Sequence, residues 1–339
     1  SNPPQIRVTH PQIFKKANYF ATEFDVAGGK VEWFDSYVAE DRSIYACGRL
    51  LMTADKVAVL AKFNNDGRLI WKRTLTPIYP AAGAKDAVWK KLVVVETNPH
   101  TIYVVGETIQ NTVNITYNPD ILVAKYISGF NAQNQADGIL QWQKELAGIS
   151  GSTRRDYATA IDWSPEMELL LLGGYTDTNT VSTNDMWFLL MNELGDVVEK
   201  RKLTTDTDEE KLTSAIFHNE KIYFTSIIGG EDLVYGMLEY DNVDINFKWG
   251  RKIPNPVNYK FVDAELKIDD YESIYIYATE NNVSTSNNEK VTLIRVDLDN
   301  YADIVWAKRL SPASTTFTTL TGIGLSIDVF NNINIAASV

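Results

Sequence analysis

One hairpin recurs along the chain and limits what the chain can fold into. Lys56–Leu75 reads as an apolar run Val57–Phe63, a turn Asn64-Asn65-Asp66-Gly67, and a second run Arg68–Leu75 with Trp71 in its middle. Asn, Asp and Gly tolerate the positive φ of a tight turn, and the flanks are rich in residues that pack well in sheets. The pattern returns four more times. Ile121–Tyr126 leads through Ala136-Asp137-Gly138 into Ile139–Leu146, and Trp187–Met191 through Leu194-Gly195-Asp196 into Val197–Leu203. Leu233–Tyr240 leads through Asp241–Asp244 into Ile245–Ile253, and Val291–Leu298 through Asp299-Asn300 into Ile304–Leu310.

Laid on one another, the second strands agree at three places. Trp71, Trp142, Glu199, Trp249 and Trp306 hold the first. Two residues on stand Arg73, Lys144, Arg201, Arg251 and Lys308, and four residues on Leu75, Leu146, Leu203, Ile253 and Leu310. Strand alternation puts all three on one face. A ring, a long basic stem and an aliphatic residue on one face predict a half-buried strand whose basic residue snorkels out of the packing.

Each hairpin is preceded by another strand pair: Val31–Ala39 with Ser43–Leu50, Ala87–Glu96 with Thr101–Thr108, Ala158–Trp163 with Glu168–Gly174, Leu212–Phe217 with Lys221–Ile228, and Val262–Ile268 with Ser273–Thr279. No stretch has a convincing helical period. Four short antiparallel strands repeated every ~40–60 residues predict an all-β fold, a β-propeller of four-stranded blades. One such sheet cannot cover both its faces, whereas a ring of sheets stacked face to face can. The blades fall at about 31–75, 87–146, 158–203, 212–253 and 262–310, in a single domain over 1–339. Leu320–Val329 and Asn334–Val339 read as the start of a sixth unit. The N-terminal strand candidates Ile6–His10 and Tyr19–Val26 would complete it, giving a composite blade from 320–339 and 6–26. Six blades are expected, and seven are the alternative. Ala27-Gly28-Gly29-Lys30-Val31-Glu32-Trp33 also resembles the hairpin, which would assign Trp33 to a preceding blade.

The strings AKFNNDGRLIWKRTL and IRVDLDNYADIVWAKRL resemble the SBBP-type propeller repeats of bacterial surface proteins and of some phage virion proteins. The resemblance covers roughly residues 31–310. It implies a virion or cell-surface setting, with the Asn-rich, acidic character closer to a marine phage structural protein. More distantly the pattern resembles quinoprotein and outer-membrane-assembly propellers, in which a Gly and a Trp four apart dock between blades, as Gly67 and Trp71 or Gly138 and Trp142 would here. Ile245 and Ala302 replace that Gly in the fourth and fifth units.

The net charge of −12 argues against nucleic-acid binding. No run approaches the ~18 apolar residues of a membrane-spanning helix, and SNPPQIRVTHPQ lacks the regions of a secretory signal. The single cysteine, Cys47, lies in an apolar strand and reads as a buried inert thiol. His10, His100 and His218 are the only histidines; the latter two fall in turns and read as solvated. Gly173-Gly174 and Gly229-Gly230 read as sheet-end turns. The acidic clusters Asp269, Asp270, Glu272 and Asp206, Asp208, Glu209, Glu210 lack the spacing of a calcium loop and read as solvated charge. No HExxH, CxxC, GxSxG or Asp-box motif occurs, so no catalytic, cofactor or metal residue is assigned and no cofactor is expected, with weak calcium binding at an acidic cluster the alternative.

The expected function is a non-enzymatic structural or interaction propeller, in a phage tail or baseplate or another virion part, whose partners are other proteins of an assembly or surface glycans. The alternative is a carbohydrate-active enzyme or quinone-dependent dehydrogenase. A bare or apolar channel mouth favours the first, and converging carboxylates or a metal the second.

Overall fold

The computed structural model describes residues 30–51, 56–75, 85–110, 119–146, 155–177, 184–204, 209–284, 289–298, 302–310, 321–327 and 333–338. Among the described residues every regular element is a strand. The first sheet holds β1 (Lys30–Val38), β2 (Ile44–Leu51), β3 (Lys56–Phe63) and β4 (Leu69–Leu75). The second holds β5 (Lys85–Val95), β6 (Thr101–Gln110), β7 (Pro119–Phe130) and β8 (Ala136–Leu146). The third holds β9 (Arg155–Ser164), β10 (Leu169–Asp177), β11 (Asp185–Asn192) and β12 (Val197–Leu203). The fourth holds β13 (Glu210–His218), β14 (Lys221–Ile228), β15 (Asp232–Tyr240) and β16 (Ile245–Ile253). The fifth holds β17 (Tyr259–Ile268), β18 (Ser273–Asn282), β19 (Glu289–Asp297) and β20 (Asp303–Leu310). β21 (Thr321–Ile327) and β22 (Ile333–Ser338) make a two-stranded sheet. In each sheet the strands pair antiparallel in chain order. The first strands β1, β5, β9, β13, β17 and β21 pack on one another in succession. The fold is therefore all-β and propeller-like, with the first strand of each sheet innermost.

The repeated outer residues do what their spacing predicts. Trp71 and Leu75 are buried, while the Arg73 stem runs out of the packing to the next sheet. There its guanidinium pairs with Asp137 and its Nε donates to the Gly138 carbonyl at 2.8 Å. Trp71 lies over Gly138, where an added Cβ would sit 2.7 Å from the ring. Trp142 meets Gly195 in the same way, at 3.0 Å, and Gly195 has φ of +80°, so a side chain there is disfavoured twice. Lys144 pairs with Asp196 at 2.9 Å. In the third sheet Glu199 stands in for the ring, and the residue facing this seam from the fourth sheet, at the Gly138 position, is the buried Ile245 rather than a glycine. Trp249 packs in one cluster with Ala302, and Trp306 with Leu325, Ile327 and Ile333.

Four expectations are corrected. The second hairpin turns at Asn131–Gln135, not at Ala136-Asp137-Gly138, because Asn131 Oδ1 accepts the Gln133 and Gln135 N–H groups, both at 3.0 Å. Gly173 and Gly174 lie inside β10, not in a turn. Trp33 belongs to β1, paired with Gly48, so it is an inner-strand residue of the first sheet and not the ring of a preceding one. Asp269 and Glu209 are not simply solvated. Asp269 is buried and accepts the Tyr271 and Ser273 N–H groups at 3.0 and 2.8 Å, and Glu209 pairs with Lys211 and accepts from Asn184, both at 2.6 Å. The expected strands Ile6–His10 and Tyr19–Val26, and with them His10, Asp206 and Asp208, lie outside the described residues.

Candidate functional site: the channel mouth

Every first strand is interrupted by a β-bulge at the same place. The pairing skips Phe34 in β1, Lys90 in β5, Thr159 in β9, Thr213 in β13, Val262 in β17 and Ile323 in β21. A bulge leaves one residue out of the ladder and re-aims its side chain. The neighbouring strand must come close, and in three sheets the residue beside the bulge is glycine. An added Cβ at Gly48, Gly106 or Gly174 would lie within 2.0 Å of a backbone oxygen of the bulged strand.

Four of these bulge residues, Phe34, Lys90, Thr159 and Thr213, line one cavity of about 440 Å³ that all five four-stranded sheets share. Phe34 is 40% exposed there. Lys90 Nζ stands 4.8 Å from its ring centroid and Arg49 Cζ 5.5 Å, while Arg49 is held by Glu32 at 2.7 Å. Across the cavity Tyr157 and Tyr175 stack with centroids 4.9 Å apart, and Lys211 reaches over Tyr175 at 6.0 Å. Burial pushes the Tyr175 phenol up, which keeps it a neutral hydroxyl.

The carboxylates around the channel each hold a backbone N–H. Asp35 accepts from Leu92 at 3.0 Å, Asp162 from Phe217 at 2.7 Å and Glu265 from Leu325 at 3.2 Å, stitching the first sheet to the second, the third to the fourth and the fifth to β21. These N–H groups lie on the innermost strand edge, where a ladder partner is missing. Asp263 accepts from Ala264 at 2.9 Å, and Glu107 accepts from the Ala158 backbone. Burial pushes Asp162 up to about 6 and raises Asp263 and Glu107 from their ordinary values. Lys91 also lines the cavity. Burial acts to lower its pKa, but the charges of Asp35, Glu265 and Asp263 outweigh that and hold it above the ordinary lysine value.

The other sequence-marked residues lie elsewhere. His100 Nδ1 is 2.9 Å from the buried Tyr45 hydroxyl, so it is a structural partner rather than a solvated turn residue. His218 ends β13. Cys47 is fully buried, and burial pushes its thiol well up. None of the channel residues was singled out from sequence. The available signal was a glycine inside three of the apolar second strands, Gly48, Gly106 and Gly174, since such a glycine marks a bulge or a close backbone approach.

No family model matches the chain, and no curated protein matches it in sequence. Solved structures do resemble it. A protein of unknown function from Dyadobacter fermentans aligns with a TM-score of 0.51 at 9% identity, over 87% of this chain and 90% of that one. An ulvan lyase of polysaccharide lyase family 25, bound to a -[GlcA(1-4)Rha3S]- unit, aligns with a TM-score of 0.50 at 10% identity, over 76% of this chain. The polysaccharide lyase Uly1 aligns with a TM-score of 0.48 at 13% identity, over 80%. The chain spans 63% of the first lyase and 59% of the second. At such identities the likeness concerns the fold.

Proposed function

We propose that the protein is a non-catalytic, glycan-binding propeller whose ligand sits at the channel mouth. One observation carries this reading: the bulges aim chemically different side chains into one cavity beside an exposed ring, while the nearby carboxylates are engaged on backbone N–H groups. An aromatic face such as Phe34 or the Tyr157–Tyr175 stack packs on the apolar face of a sugar. Lys90, Thr159, Thr213 and Glu107 supply convergent polar groups for its hydroxyls. The test is a titration with oligosaccharides, neutral and uronate-bearing, of the whole chain and of Phe34→Ala. Saturable binding that the substitution weakens at least about tenfold supports the reading. Binding to neither class removes it.

A second reading, a carbohydrate-active enzyme, draws on Glu107, a cavity-lining carboxyl whose pKa burial raises above its ordinary value, the direction a general acid needs. New reducing ends that appear on incubation with polysaccharide and vanish in Glu107→Gln would establish it in place of the first. The setting we infer, from the repeat resemblance alone, is an assembly on a virion or cell surface. For the ring we propose six blades, β21 and β22 opening the sixth and segment 6–26 completing it. Deleting residues 1–26 should then lower the melting temperature sharply, and an unchanged melt would contradict that closure.

A further inference from the structure

Across strands two, three and four of each sheet runs one register row. It reads Tyr45–Lys62–Trp71 in the first sheet, Tyr103–Lys125–Trp142 in the second and Tyr275–Arg295–Trp306 in the fifth. The two rings make the same corner each time, with centroids 6.1, 6.1 and 6.4 Å apart. The cation between them sits over the tyrosine, at 5.1, 5.5 and 6.0 Å. In the first two sheets the cation is also tied to the next sheet, Lys62 to the Ser128 hydroxyl at 3.3 Å and Lys125 to Glu193.

The fourth sheet keeps the rings and lacks the cation. Its row is Tyr223–Met237–Trp249, with the rings 6.4 Å apart. The place of Ser128 and Glu193 in the following sheet is taken by Leu298, two residues beyond the strand-three bulge position as they are. A cavity of about 260 Å³ opens there, lined by Tyr223, Trp249, Met237 and Leu298, with His218, Asn219, Lys221 and Glu272 around them. Glu272 is held toward Asn219 Nδ2 at 3.0 Å. The third sheet, with Leu171, Leu190 and Glu199 in the row, has no such corner.

We infer that this seam cavity binds a quaternary ammonium group of the choline type from outside, in the seat that Lys62, Lys125 and Arg295 fill from within. The rings supply the electrostatic attraction of an aromatic corner for a cation. A primary ammonium needs a hydrogen-bond acceptor such as Ser128 or Glu193, whereas a quaternary one has no N–H to satisfy and tolerates Met237 and Leu298. Glu272 supplies the countercharge, and Lys221 opposes it. The site lies at the seam between the fourth and fifth sheets, apart from the channel, and does not rest on the glycan reading.

The test titrates the full chain with choline and with ethanolamine, using sodium chloride as the ionic-strength control and heat or ligand NMR as the readout. Choline should bind saturably, and ethanolamine at least about tenfold more weakly. Met237→Lys, which installs the internal cation of the first two sheets, should abolish choline binding in a variant that still folds. Tyr223→Leu should weaken binding about tenfold and serves if the lysine variant does not fold. Absence of saturable choline binding, equal affinity for the two amines, or binding untouched by either substitution would overturn the inference.

Discussion

The outer seams and the inner channel are built from the same five sheets by opposite rules. At the seams the sheets repeat one another: Trp71, Trp142, Trp249 and Trp306 pack against the next sheet, and Arg73 and Lys144 reach an aspartate there. At the channel the backbone repeats, with a bulge at the same place in each first strand, but the side chains vary: Phe34, Lys90 and Val262 differ from one another, and only Thr159 and Thr213 match. Seams must satisfy the same packing requirement five times over. On the proposed function the channel has one ligand to meet, which the sheets approach from different sides. Repetition therefore marks stability, and divergence on a repeated backbone marks function.

The sharpest way to break this division is to remove a seam ring. Trp71→Ala should cost about 3–5 kcal/mol in denaturant melts, as large aromatic truncations in cores do. Glu199→Ala, at the matching place without a ring, should stay within about 0.5 kcal/mol. Equal losses would show that the ring is not what holds the seam. Next in size is the other half of the contact. Gly138→Val forces a side chain into the Trp71 ring and should cost about 1–3 kcal/mol by overpacking. The same change at Gly129, where an added Cβ would meet only Ile139 Cδ1 at 3.4 Å, should cost less.

Much of the seam was legible in the sequence because it repeats. Five aligned hairpins made the Trp, basic and aliphatic positions visible, and alternation placed them on one face. The channel was not legible, for a physical reason: its residues come from well-separated segments of the chain, mostly differ in type, and meet only through the ring. The bulges that aim them leave a weak trace, Gly48, Gly106 and Gly174, and Ser226 and Glu280 stand at the corresponding places in the other two sheets. Local chemistry misled most clearly at Asp137-Gly138. That dipeptide suits a tight turn, yet Gly138 is there to admit Trp71 and Asp137 to bind Arg73, while Asn131 makes the turn.

A smaller effect sharpens the channel side. Asp162, beside the channel, has a folded-state pKa of about 6, above the ~3.9 of an unfolded aspartate. The folded state thus holds its proton more tightly. This stability contribution is full below about pH 4 and is lost as the pH rises through about 6. Melting temperatures of Asp162→Asn should lack that part of the decline, because Asn can still accept from the Phe217 N–H. Identical pH profiles for the two proteins would place Asp162 in water rather than against the channel wall.

The measurement that bears most directly on the division is a paired readout on Phe34→Ala and Arg73→Ala, each followed for melting and for oligosaccharide binding by titration calorimetry. The account predicts that Phe34→Ala melts like the parent and binds at least about tenfold more weakly. Arg73→Ala should lose about 1 kcal/mol of stability, for a charge-assisted hydrogen bond across a half-exposed seam, and keep the parent's affinity. Loss of stability without loss of affinity in Phe34→Ala would contradict it, because the bulge residue would then be a seam residue in another place.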